Sequence, residues 1–237
     1  MRLSARLEEL RIPLREAERG VEELSGILGI PEWWPTGSRV GVVLGHTTSS
    51  DLNDPLIESV HAGLTDAGYL TLRFNFPFAE AGKSRPDSMP ALKRAYKAAI
   101  SALGRDPTAT PAHLILGGHG LGARVAAEVA MERLRIEGLF FLGYPLHALG
   151  KPETIAAENL YRIISPMLFL QGTRDRGCDA DALRKTLLRI GAPTAMHMVQ
   201  EADNRFRVLK KSSRSGEDVH AEVVAALNAW IRKILES

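Results

Sequence analysis

Short, near-continuous apolar runs alternate along the chain with longer stretches whose apolar residues recur every third or fourth position. SRVGVVLGH (38–46) is β-branched and closed by Gly45, the pattern of a strand buried on both faces. In DPLIESVHAGLTDAG, Leu56, Val60 and Leu64 fall on one helical face, with Asp54 placed to cap the start and Gly68 the end. The same alternation predicts strands at 69–76, 112–118, 136–143, 166–172 and 195–202 and helices at 89–104, 121–134, 179–191 and 217–236. The last helix carries apolar residues at 219, 223, 224, 227, 230, 231 and 234, a single core-facing side.

Strands that read apolar throughout, each followed by a helix, form parallel sheets covered on both faces. The start of the chain differs. Leu10, Ile12 and Leu14 alternate and VEELSGILGI follows, so residues 1–37 are expected to form an antiparallel hairpin and loop; a helix there is the second choice. PEWWP closes that region, and two adjacent tryptophans cannot easily both face inward, so one of Trp33 and Trp34 is expected either in a contact surface or in a loop capping the core.

Composition narrows the class. A chain of 237 residues is expected to be one domain, 1–237, burying roughly 70% of its unfolded surface without disulfides or structural metal. Cys178 is the only cysteine, which excludes an intramolecular disulfide and any multi-cysteine zinc module. Thirty basic and 28 acidic residues leave a formal +2, so no nucleic-acid partner is expected. No run approaches the ~20 apolar residues of a membrane span. The charged start MRLSARLEELRIPLRE has no apolar signal core, so a cytoplasmic protein is expected.

In parallel α/β sheets ligands bind at the carboxyl ends of the strands. There Gly118-His119-Gly120-Leu121-Gly122 joins one predicted strand directly to the next helix, the context of the G-x-S-x-G nucleophile elbow, with glycine where the serine belongs. Together with LRFNFPFAEAGKSRPD, FLGYPLHALGKPE, LQGTRDRG and FRVLKKSSRSGEDVHAEV, this chain resembles the small α/β-hydrolases from about Val40 to Trp230. It is similar to dienelactone hydrolase and closest to the testis-expressed hydrolase-like subgroup. The resemblance implies an α/β-hydrolase fold with a mostly parallel central sheet, helices on both faces, no large cap domain and no cofactor.

The resemblance also implies a triad in the order serine, acid, histidine. Those positions fall on Gly120, Asp175 in GTRD and Asn204 in EADNRF, so only the acid is kept. The oxyanion-hole positions fall on Thr47 and Leu121, and the usual glycines after His46 are replaced by Thr47-Thr48-Ser49. Gly120 has no atom to acylate and Asn204 cannot accept a proton near neutral pH. Glycine also adopts the strained elbow more readily than a residue with a β-carbon, so the change is expected to keep or raise stability. A deliberate inactivation is expected to leave alanine, at one site.

Other residues offer alternatives. His46, His119 and His147 are possible pocket residues, with a supporting histidine the plainer reading of the first two, and Cys178 stands near the expected rim. Ser49 and Ser50 offer a shifted serine centre. His61, His113, His197 and His220 fall within strand or helix patterns and are expected to be structural or at the surface. No H-E-x-x-H or phosphate-loop pattern appears, so neither metal nor nucleotide is expected. Arg205, Arg207, Lys210, Lys211 and Arg214 form a basic run, either a solvated loop or a rim attracting an anionic ligand. Three classes follow: a pseudoenzyme that binds a small molecule, an anionic one if the basic run forms its rim; an active hydrolase or lyase using His119, His147, Asp175 or Cys178; and a protein-interaction module with a filled pocket.

Overall fold

The computed structural model describes residues 5–34, 36–37, 39–105, 110–132 and 134–236. Pro35 of PEWWP, Ser38 at the start of a predicted strand, Arg133 in a predicted helix and both chain ends lie outside them. One eight-stranded sheet runs in the order β1-β2-β4-β3-β5-β6-β7-β8. β3 (Val40–Gly45), β4 (Leu70–Phe74), β5 (His113–His119), β6 (Gly138–Leu142), β7 (Met167–Gly172) and β8 (Thr194–Val199) are parallel. β1 (Arg6–Glu18) and β2 (Val21–Ile30) form an antiparallel hairpin in which Ile12 faces Leu24, and β2 joins β4 antiparallel.

Side chains alternate across the sheet, so each strand supplies both of its faces. Val43, Leu116, Phe141 and Phe169 point to one side with α3 (Met89–Leu103), α4 (Leu121–Ala130) and Leu183 of α5 (Ala180–Leu187). Val42, Leu44, Ile115, Phe140 and Leu170 point to the other, under α1 (Pro55–Asp66) and α6 (Gly216–Leu235). No inserted cap domain lies among the described residues, and no helix among them is long and apolar enough to cross a membrane.

Local chemistry sets the ends. Asp54 caps α1 by accepting from the Leu56 and Ile57 amides, and Ser215 and Asp218 form a capping box on α6. A short helix, α2 (Pro77–Glu80), was not anticipated; its start Asn75-Phe76-Pro77 carries no apolar period. α4 stops at Ala130, short of the predicted Leu134, although its residues favour helix. Trp33 is 70% exposed while Trp34 packs against the core.

The closest backbone approach places α4. A β-carbon on Gly122 would overlap the carbonyl of Gly45 and come within 2.8 Å of the Gly45 Cα; one on Gly118 would stand 2.9 Å from the Gly122 carbonyl carbon. The Gly122 amide instead donates to the His46 carbonyl at 3.0 Å. Alanine inside a helix ordinarily stabilises by up to ~1 kcal/mol over glycine. Here Gly122→Ala must push backbone against backbone and is expected to destabilise by about 2–4 kcal/mol. Urea unfolding measures the sign directly.

Candidate functional site

The carboxyl ends of β3, β5, β6, β7 and β8 surround a pocket of about 230 Å³. Thr47 and Thr48 line it after β3, Gly120, Leu121 and Arg124 after β5, and Gly143, Pro145, His147 and Leu149 after β6. Asp175, Gly177 and Asn204 close it from beyond β7 and β8. The triad positions Gly120, Asp175 and Asn204, far apart in sequence, thus share one cavity with Thr47 and Leu121. No phenylalanine fills it; Leu121 and Leu149 supply its aliphatic wall.

Gly120 forms the turn between β5 and α4 at φ 53° and ψ −103°, held by its amide's bond to the Leu142 carbonyl at 2.9 Å. Residues with a β-carbon avoid this backbone region. A second constraint is steric: a β-carbon at position 120 would overlap the Thr47 hydroxyl oxygen and stand 3.2 Å from the Thr47 β-carbon. The side chain of Thr47 therefore fills the space that a side chain at 120 would need. Leu121 begins α4, and its amide is among the helix-start N–H groups that have no partner within the helix. Arg124, one turn further on, adds a guanidinium to the same lining.

Asp175 does not reach Asn204. Its carboxylate accepts from the Gly177 amide at 2.6 Å and from the Gln171 side-chain amide, so it caps the loop after β7. Burial raises its carboxyl above the usual range, against the lowering effect of those two bonds. Asn204 is exposed at the pocket edge, and its backbone carbonyl accepts from His119 Nε2 at 2.8 Å.

The histidines are committed elsewhere. The buried His46 donates from Nδ1 to the Thr47 carbonyl at 2.8 Å and accepts on Nε2 from the Phe76 amide at 3.0 Å, which defines a neutral ring. His147 lines the pocket, but its Nε2 accepts from the Asp179 amide at 2.8 Å and its Nδ1 lies 2.9 Å from the Ala148 carbonyl, leaving no lone pair for a substrate proton. His119 is buried behind the turn, edge-on to Phe206, with Nδ1 unpartnered and 3.8 Å from Asp54 Oδ1. Burial holds it below the ordinary histidine range, opposed by Asp54.

The remaining candidates do not gather into a second centre. Ser50 donates to Asp54, and Ser49 is exposed at φ 57°. Cys178 is 3% exposed and burial pushes its thiol up. His61, His113, His197 and His220 bond to Ile27, Glu137, Glu222 and Ser59. None of the basic run lines the pocket, and Arg214 is paired with Glu222. The cation that does line it, Arg124, carried no sequence signal beyond standing one turn after the glycine-rich turn. The reach of Thr47 into the elbow has no sequence signal either, since it depends on how the loop after β3 lies against the turn at Gly120.

The model of the "Alpha/beta hydrolase domain" family matches residues 38–232, so the chain belongs to that family. Among solved structures it is similar to dienelactone hydrolase from Anabaena variabilis, at 17% identity over 97% of this chain and 98% of that one, TM-score 0.72. An α/β serine hydrolase homologue from Coxiella burnetii matches at 18% identity over 93% and 97%, TM-score 0.72. An α/β serine hydrolase without lid from Xanthomonas campestris matches at 16% over 96% and 95%, TM-score 0.71.

Two measurements check this reading of the buried groups. Burial pulls His46 down to about 4, and His61 likewise to about 4, from the ordinary ~6.5 of an unfolded chain. The unfolded chain then binds protons that the folded chain refuses. Stability is full above pH ~6.5 and falls as the pH drops toward 4, by up to about 1.4 kcal/mol per pH unit for each histidine. Urea midpoints at pH 7 and pH 5 should show the loss, and His46→Gln should shrink it. Separately, iodoacetamide at pH 8 should leave native Cys178 unmodified and alkylate it only on unfolding.

Proposed function

We propose that this α/β-hydrolase-fold protein is a pseudoenzyme that binds a small molecule in the Gly120 pocket without hydrolysing it. The observation that carries the reading is the Thr47 side chain standing in the space of an elbow side chain. A merely missing serine would leave a void beside Gly120. Here the void is filled, and the filling residue comes from the loop that would otherwise offer a close oxyanion donor. Asn204 at the base position has no proton-accepting nitrogen, and the neighbouring ring His147 has its lone pair engaged.

The lining suits a small anion. Arg124 and the first amide of α4 are donors that a carboxylate or similar group satisfies, while the one carboxylate in the lining, Asp175, is engaged by the Gly177 amide and Gln171. The sequence blocks around LRFNFPFAEAGKSRPD and FLGYPLHALGKPE support placing the chain near the testis-expressed hydrolase-like subgroup, and the single buried thiol fits a cytoplasmic protein.

Hydrolysis of p-nitrophenyl acetate by the native protein should not exceed the buffer rate, and a fluorophosphonate probe should not label it. Gly120→Ser with Asn204→His should remain silent, because the new serine collides with Thr47. Adding Thr47→Gly should open the elbow and raise turnover about a hundredfold over the double variant. Native turnover above buffer overturns the reading, and so does a double variant as active as the triple one.

A further inference from the structure

We propose that the groove between β1 and the exposed side of α3 is a docking site for an extended acidic peptide segment of a partner protein. The groove has a volume of about 710 Å³, and none of its residues lines the Gly120 pocket. Its β1 wall lies before residue 38, where the family match begins, so the family pattern does not account for it.

Four cations edge the groove, Arg15 from β1 and Arg94, Lys97 and Arg105 from α3 and its end, against a single lining carboxylate, Glu16. Arg94 is paired with Glu18 and, at 3.8 Å, with Glu16, and Lys97 with Glu132. Arg15 makes no ion pair with any described residue, and the Arg105 guanidinium donates only to the Arg11 backbone carbonyl among them, at 3.2 Å. Two guanidiniums thus face solvent across the groove without a carboxylate partner among the described residues.

The spacing selects the ligand. Arg94 stands about 14 Å along α3 from its last residue, Leu103, and Arg105 lies just beyond that end. A single carboxylate or phosphate reaches one end only, whereas an extended chain at ~3.3 Å per residue spans the distance in about five residues. Between the cations the floor is apolar, built from Leu14, Ala98 and Ala102. A string of phosphates has nothing to place there; a peptide alternating acidic and aliphatic residues puts carboxylates on the walls and methyl groups on the floor. No aromatic side chain lines the groove to stack a base, and its concave form does not fit a flat lipid surface.

A fluorescein-labelled pentapeptide of alternating glutamate and leucine, titrated into the full chain by anisotropy, tests this. The peptide should bind, weaken as salt rises, and lose about tenfold in affinity to Arg15→Glu with Arg105→Glu. Both residues are exposed and both variants lose the Arg105 bond to the Arg11 carbonyl, so any small fall in the thermal midpoint should be shared by the two; the milder pair Arg15→Gln with Arg105→Gln should give a smaller loss of affinity in the same direction. No binding, or equal binding by both variants, overturns the proposal. So does displacement by tripolyphosphate at concentrations equal to those of unlabelled peptide, which makes the groove a simple phosphate site.

Discussion

Gly45, Gly118 and Gly122 meet backbone against backbone, and nothing larger than hydrogen fits between them. That contact lets the first turn of α4 lie directly on the ends of β3 and β5, where the Gly122 amide bonds to the His46 carbonyl. The turn at Gly120 is a consequence, since a strand must reverse into a helix within one residue to bring α4 so close. The pocket follows in turn: the start of α4, the loop after β3 and the tips beyond β6, β7 and β8 face one another because the helix cannot stand off. A parallel sheet alone sets the direction of the strands, whereas this packing sets the distance.

The histidines show how the fold spends its polar groups. His46 spans the Thr47 carbonyl and the Phe76 amide, tying the loop after β3 to the chain leaving β4. His147 joins the Ala148 carbonyl to the Asp179 amide at the head of α5, and His119 reaches across to the Asn204 carbonyl. Each ring ties together segments that lie at or beyond the carboxyl ends of the strands, so these side chains help to hold the loop layer. Rings fixed in this way are scaffolding, and their burial disfavours the charged form.

Much of this was legible in the residues. Continuous apolar runs marked the five inner parallel strands to within two or three positions, because a strand buried on both faces has no freedom of composition, and β8, a half-buried edge strand, was marked to within three. Leu10, Ile12 and Leu14 marked β1 for the opposite reason, one face covered and one exposed. Glycine clusters marked the strand ends and hence the place of the pocket. What could not be read depends on contacts between distant segments. Whether α4 ends at Ala130 or Leu134 is not decided by helix propensity, and Asp175 turning to Gly177 and not Asn204 is a matter of loop path. Arg124 looks like any surface arginine of a helix until the loops after β6 and β7 are folded over its turn.

Thr47, in the rotamer it adopts here, and a side chain at position 120 compete for one space. The sequence neighbourhood of the protein is therefore rugged at this point. A route of single substitutions toward a serine at 120 must first pass through a smaller residue at 47, a step that leaves a hole and offers no hydroxyl in return. The reverse order passes through a collision. The elbow couples two positions remote in the chain, so that what position 120 can carry depends on the residue at 47.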